Sequence, residues 1–353
     1  MNKYNVVGIM SGTSLDGLDV VWSKLSFDKT WFYEIIDGKT YEYSTSWKNE
    51  LSNAYKLQGR DLVVLDQKLG NYIGEKINDF LKEKKIVKNQ IDLISSHGHT
   101  IFHEPENNFT KQIGNGAYIC STTNLITVSD FRTIDIAFGG QGAPLVPLGD
   151  QLLFKNYKGC LNLGGIANVS FNIKEKRIAG DVNFANIISN YLSNKIGHEF
   201  DKDGELAKQG KLDQDLILKL EELDFYKKSF PKSLAIEDFN HWYKPLFDDC
   251  KSSIHDQLFT SGTHLCKTIK NVLNFDIEDT LLVTGGGAHN KFWINKLEEL
   301  KIKAVIPENK LVDFKEGLIF SLLGVLKLRN ETNILSSVTG SSKDLSAGVI
   351  HNP

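Results

Sequence analysis

The chain has 353 residues, of which 41% are hydrophobic and 24% charged, enough for two globular domains each with its own core. Its formal net charge of −3 gives no electrostatic case for nucleic acid or an anionic membrane as a partner. The cysteines Cys120, Cys160, Cys250 and Cys266 form no C-x-x-C pair and read as reduced thiols of a cytosolic protein. Met1-Asn2-Lys3-Tyr4 enters a strand pattern directly, so neither a signal peptide nor a membrane span is expected.

In chain order, Val6–Met10 and Leu18–Leu25 read as apolar strands around a tight turn, and Phe32–Tyr43 as a third antiparallel strand. Ser46–Ala54 and Arg60–Lys84 read as helices, the second with Leu62, Leu65, Leu69, Ile73 and Ile77 on one stripe. Ile91–Ser95 is a short buried strand ending in His97-Gly98-His99-Thr100. Gln112–Val128 reads as short strands and turns, and Gly139–Pro147 as a loop dense in turn formers. At Gly159 the opening pattern returns: strand Cys160–Leu163, turn Gly164-Gly165, strand Ala167–Ile173. Helices follow at Asn186–Ile196, Asp203–Lys219 and Asp256–Leu273. Strand Thr280–Thr284 runs into Gly285-Gly286-Gly287, helices are expected at Lys291–Leu300 and Val312–Leu328, and the tail reads mostly as loop. Two mixed α/β domains with a cleft between them are expected, with a boundary near residue 130: 1–130, joined by a tail at about 331–353, and 131–330.

The opening turn carries the chemistry. Gly12 and Gly17 let backbone approach a ligand closely, and successive N–H groups there form an anion nest. Ser11, Thr13 and Ser14 add hydroxyls, while Asp16 and Asp19 are too acidic to meet bare phosphate and call for a divalent cation. An ordinary hairpin needs only one or two such residues. Three glycine turns each follow an apolar strand: Ser11–Gly17, Gly164-Gly165 and Gly285–Gly287. A nucleotide held by its phosphates at the first two, with the third flat against adenine or ribose, accounts for all three.

On these residues the chain resembles the sugar kinase, actin and heat-shock ATPase superfamily, and within it the anhydro-N-acetylmuramic acid kinases. The matching motifs run in family order from Gly8–Asp19 through Ser96–Thr100, Gln112–Gly114, Ser129–Arg132, Gly139–Pro147 and Leu161–Asn168 to Gly285–Asn290, Lys315-Glu316 and Thr339-Gly340. The resemblance implies two ribonuclease-H-like mixed-sheet domains of the actin-like ATPase fold. It implies a cytoplasmic, homodimeric enzyme that uses ATP and Mg²⁺ to open a 1,6-anhydro bridge and phosphorylate O6 in cell-wall sugar recycling. It carries Gly12, Thr13, Ser14, Leu15, Asp16, Gly17, Leu18 and Asp19 over as an ATP phosphate site, with Gly164, Gly165 and Gly285–Gly287 as further nucleotide contacts and Asp16 or Asp19 on the metal. It makes Asp181 the catalytic carboxylate; read without the resemblance, an N-cap for the next helix fits Asp181 equally well.

His97, His99 and Thr100 read as sugar contacts or structural hydrogen bonds, since no acidic or sulfur ligand nearby completes a metal set with His103. Arg132 suits the lactyl carboxylate of a muramic sugar, with a surface pair to Asp130 or Asp135 as the alternative. Glu316 suits a sugar contact or the dipole of the closing helix. The chain departs from the family at Val182-Asn183-Phe184-Ala185, where Thr-Gly-Pro-Gly is common, and at His99, where Gln is common. The first departure is expected to face the sugar. A kinase for a different amino sugar or anhydro-sugar, or a non-catalytic ATP-binding protein of this fold, stands as the alternative.

Overall fold

A computed structural model describes residues 2–273, 275–276 and 278–353. The chain forms two compact units, Met1–Leu153 with Phe314–Pro353, and Phe154–Asp313. The boundary expected near 130 falls inside the first unit, after its strand Thr127–Ser129 and before its helix Val146–Leu153.

The first unit holds β1 (Asn2–Ser11), β2 (Gly17–Asp28), β3 (Thr30–Glu42), β4 (Leu93–Glu104), β5 (Phe109–Ile113) and β6 (Thr127–Ser129). The second holds β7 (Gly159–Leu163), β8 (Ile166–Ile173), β9 (Lys176–Phe184), β10 (Thr280–Thr284) and β11 (Lys303–Val305). The chain then returns to the first unit for β12 (Val349–His351). The first sheet runs β12-β6-β4-β1-β2-β3, with β5 paired to β4; the second runs β11-β10-β7-β8-β9. In each, three consecutive antiparallel strands form a meander, and its first strand continues into two parallel neighbours, β4 and β6 or β10 and β11. Both sheets thus share the ribonuclease-H-like order, and the turns β1–β2 and β7–β8 occupy equivalent places. The parallel pairs require long crossovers, which helices supply. The echo seen in the sequence is an echo of topology.

Each sheet buries its own core. On the first, Leu65, Leu69, Ile73, Ile77 and Phe80 of helix Gly59–Glu83 pack with Val7, Ile9 and Val20, so the stripe read from the sequence faces the sheet. On the second, Leu161, Val169 and Phe184 pack with Leu192, Leu265 and Ile269. Among the described residues, no helix is long and apolar enough to cross a membrane.

Three segments differ from expectation. Gln112–Val128 contains a helix, Gly116–Thr123, whose composition is poor in helix formers. Its local signal is Asn115, whose side chain accepts from Ala117 N at 3.0 Å. Asp203–Lys219 forms short 3₁₀ turns before a true helix at Gln214–Glu221. The tail adds β12, paired antiparallel to β6, an edge contact with no local sequence signature.

The loop Gly139–Pro147 is pinned by Asp135, which is fully buried. Its Oδ2 accepts from Gly142 N at 2.7 Å and its Oδ1 from Thr339 Oγ1 at 2.7 Å. A Cβ at Gly140 would fall on that carboxylate, so the glycine there makes room for the pin. Thr339→Val keeps the shape but leaves one buried carboxylate oxygen short of a donor. The expected cost is about 1–3 kcal/mol, read as a lower urea midpoint at unchanged slope.

Candidate active site

In the first unit, the strands β1 and β2 place Ser11 opposite Leu18 and Met10 opposite Asp19. Between them the chain turns through Gly12–Asp16, with Leu15 at φ 60°. Thr13, Ser14 and Asp16 are exposed and Gly12 is half-buried. A Cβ at Gly12 would meet only Ser14 Oγ, at 3.5 Å, so no protein neighbour demands glycine there and the backbone is open to a ligand. Gly17 is different: its Cβ would meet Thr40 Cγ2 and Tyr41 O at 2.7 Å, so packing against β3 accounts for it.

The root of this turn is fixed from below. Buried Ser11 Oγ lies 2.8 Å from Tyr43 Oη and 2.8 Å from His99 Nδ1. Burial lowers the His99 pKa to about 4, against the opposing hydrogen bond from Ser11, so His99 is neutral. Asp19 Oδ1 accepts from Thr40 Oγ1 at 2.6 Å. These oxygen donors suit a hard cation, which takes one or two carboxylates plus phosphate oxygens. Among the described residues, no group of three or more His, Cys, Asp or Glu could hold a metal ion.

His97 and Arg132 form a pair. His97 Nδ1 lies 3.0 Å from the Gly98 carbonyl, which can only accept, so Nδ1 carries the proton. Nε2 is then the acceptor for Arg132 Nε, at 3.0 Å. Burial first, then the Arg132 charge, push the His97 pKa well down, consistent with that neutral tautomer. Arg132 Nη1 donates to Gly142 O at 3.2 Å, so its guanidinium is oriented from two sides and Nη2 remains for a ligand. Desolvation lowers the Arg132 pKa to about 10, opposed by Glu316; the group stays charged. Neither Asp130 nor Asp135 pairs with it.

Glu316 follows Lys315, whose Nζ makes a buried ion pair with Asp150 Oδ1 at 2.8 Å. Desolvation pushes the Glu316 carboxyl up; its charged neighbours divide, Lys315 and Arg132 lowering it, Asp19 and Asp150 raising it. The side chain keeps solvent access and is open to a ligand. Thr100 Oγ1 accepts from Gln112 Nε2 at 3.3 Å, which ties β4 to β5.

In the second unit, the carbonyls of Gly164 and Gly165 accept from the N–H groups of Asn186, Ala185 and Ile187, so the β7–β8 turn caps the helix Asn186–Asn194. The third glycine turn divides by role. Gly285, at φ 81°, and Gly287 would each place a Cβ against Leu163, with Trp293 also in the way of the latter. At Gly286 a Cβ would meet only Asn186 Nδ2, at 3.9 Å, so this is the open position.

Asp181 sits within β9, and the helix begins five residues later with no side-chain cap at Ala185, so the capping role does not apply. Its Oδ2 accepts from Leu234 N at 2.8 Å, and its own N–H donates to Lys232 O at 2.9 Å. Desolvation raises its pKa to about 6, against the lowering by the Leu234 hydrogen bond. A half-buried carboxylate at that value is a competent base near neutral pH.

The substituted stretch after Asp181 does not face outward as expected. Val182, Asn183, Phe184 and Ala185 are all buried. Asn183 Nδ2 donates to His264 Nδ1 at 3.2 Å and to Thr268 Oγ1 at 3.1 Å, and its Oδ1 accepts from Tyr226 Oη at 2.8 Å. Phe184 packs edge-on against Tyr243 and Phe239, with centroids 4.8 and 5.7 Å apart. These side chains replace a smaller motif by filling the core, which also accounts for much of the aromatic segment Phe225–Phe247.

Three site contributions carried no usable sequence signal. Tyr43 lies far along the chain from Ser11, Asp150 pairs with Lys315 across a long insertion, and Leu234 acts through its backbone.

The family profile described as anhydro-N-acetylmuramic acid kinase matches residues 4–353. A relative of that name from Sulfurimonas denitrificans is 30% identical over 98% of this chain and 98% of its own. Relatives of the same name from Aliivibrio fischeri and Actinobacillus pleuropneumoniae are each 33% identical over 99% of this chain, and cover 99% and 100% of their own lengths.

Proposed function

The chain belongs to the anhydro-N-acetylmuramic acid kinase family, and we propose that it hydrolytically opens 1,6-anhydro-N-acetylmuramic acid and phosphorylates O6 with ATP to give N-acetylmuramic acid 6-phosphate. Asp181 carries this reading: a carboxylate of pKa about 6, held on a strand and open on one oxygen, is the base the reaction needs. Asp181 takes a proton from water as the water oxygen bonds C1. The C1–O6 bond breaks with its electron pair on O6, and O6 then bonds the γ-phosphorus as ADP leaves. Phosphoryl transfer needs mainly positioning and charge neutralisation.

Gly12–Asp19 hold the ATP phosphates through backbone N–H groups and the hydroxyls of Thr13 and Ser14, with Gly164, Gly165 and Gly286 as further nucleotide contacts. Gly285 and Gly287 hold the shape of the third turn. Asp19, with Asp16, would hold Mg²⁺, which would neutralise charge on the phosphates. Arg132 binds the lactyl carboxylate and Glu316 a sugar hydroxyl. His97 and His99 act by orienting Arg132 and Ser11. The family resemblance further supports a cytoplasmic enzyme working as a homodimer.

The test is turnover of the anhydro sugar with ATP and Mg²⁺ in ¹⁸O water. ADP, a 6-phosphate and label on the C1 hydroxyl are expected. A 6-phosphate without label would remove the water-activating role of Asp181. Turnover of another anhydro-sugar only would overturn the substrate.

A further inference from the structure

The carboxylate at Asp181 is held by a segment that no motif marks. Phe230–Ala235 runs beside β9. Lys232 O accepts from Asp181 N at 2.9 Å and Leu234 N donates to Asp181 Oδ2 at 2.8 Å, so this strap holds one residue by its main chain and by its carboxylate. It is anchored at both ends. The Phe230 ring packs edge-on against Phe171, 5.9 Å between centroids, and Lys232 Nζ donates to Phe225 O at 3.2 Å while lying 4.4 Å from the Phe225 ring centroid. Leu234 is buried in the core, and Ala235 N donates to Asp238 Oδ2 at 2.8 Å. On the β9 side, a Cβ at Gly180 would meet Lys232 O and Phe230 Cδ1 at 2.8 Å each, so glycine there is what lets the strap lie against the strand.

We propose that this strap is the positioning element for the base: the Leu234 amide fixes Oδ2 of Asp181 and leaves Oδ1 as the oxygen that receives the proton from water. The inference rests on Asp181 being the base. A carboxylate held by one oxygen keeps its second oxygen's lone pairs aimed in one direction, which is the orientation a near-attack water needs. The same N–H favours the charged form of the group and so keeps the base ionised at neutral pH. Leu234 itself is a positioning residue, and its side chain serves only to anchor the amide.

The readout is the acid limb of the kcat–pH profile, measured on the full-length enzyme with the anhydro sugar and saturating ATP. Replacing the Leu234 amide by an ester removes the N–H while keeping the side chain and is expected to move the limb up by roughly one pH unit, with kcat at pH 6 falling about 5- to 10-fold. Leu234→Pro removes the same N–H by simple mutagenesis, and Leu234→Met, which keeps it, leaves the limb where it is. Gly180→Ala, which displaces the strap from β9, moves the limb in the same direction. KM for ATP stays within about twofold in each, which separates positioning of the base from general loss of fold. An unmoved limb in both the ester and Gly180→Ala proteins overturns the strap's role. If instead Asp181→Asn turns over normally, it is the base assignment that falls.

Discussion

Asp181→Asn is expected to cut kcat by about 10²–10⁴-fold while ATP still binds. The substitution changes little else. An asparagine carbonyl oxygen still accepts from Leu234 N, and the Asp181 main-chain N–H still reaches Lys232 O, so β9 and the strap keep their register. What is lost is a group able to take a proton from water. Wild-type kcat is expected to fall as pH drops through about 6, because desolvation raises the carboxyl to that value and only the ionised form acts as base. That limb should vanish in the Asn protein, leaving a flat residual rate. Calorimetric ATP binding separates loss of chemistry from loss of fold. A variant with near-normal kcat, or one retaining the limb near pH 6, would show that Asp181 is not the base.

The parts of the site legible in the sequence were those built from consecutive residues. Strand–glycine turn–strand at Ser11–Gly17 and again at Gly164-Gly165 was readable because tight turns impose local backbone demands, and the structure places both turns at the same point of two sheets of the same order. What glycine does at each position was not readable. Gly12 and Gly286 face open space, whereas Gly17, Gly285 and Gly287 are set by Tyr41 and Leu163, neighbours distant in sequence. The departures from the family pattern misled for the same reason. Asn183 and Phe184 lie two and three residues after Asp181, the proposed base, which suggests a role toward substrate. Both faces of β9 are covered at this end, so Asn183 and Phe184 are buried on opposite sides of the strand, and Asn183 donates to His264 and Thr268 and accepts from Tyr226. His99 is similar: it bonds Ser11 and is buried neutral. Both substitutions alter the frame of the site. The helix Gly116–Thr123 and strand β12 were hidden because tertiary pairing, not local propensity, selects them.

Arg132→Ala is expected to raise KM for the anhydro-muramic sugar by about 10²-fold, because roughly two charge-assisted hydrogen bonds to a carboxylate are lost. The structure prepares that guanidinium in advance. His97 Nε2 holds Nε, Gly142 O holds Nη1, and Gly142 is itself fixed through Asp135 to Thr339, so a chain of buried contacts delivers one oriented cation. Lysine at this position keeps the charge but reproduces neither the planar guanidinium nor its His97 and Gly142 contacts, so Arg132→Lys should recover only a small part of the loss. His97→Ala removes an orienting contact and leaves the cation, so its effect should be smaller than that of Arg132→Ala and fall in the same parameter. KM for ATP should stay near wild type in all three. The sharper comparison uses a second substrate, the 1,6-anhydro-N-acetylglucosamine that lacks the lactyl carboxylate. Wild type should prefer the muramic sugar strongly by kcat/KM, and Arg132→Ala should nearly erase that preference by weakening one substrate and not the other. A preference that survives in Arg132→Ala would place carboxylate recognition elsewhere and return Arg132 to the role of a buried strut for the Gly139–Pro147 loop.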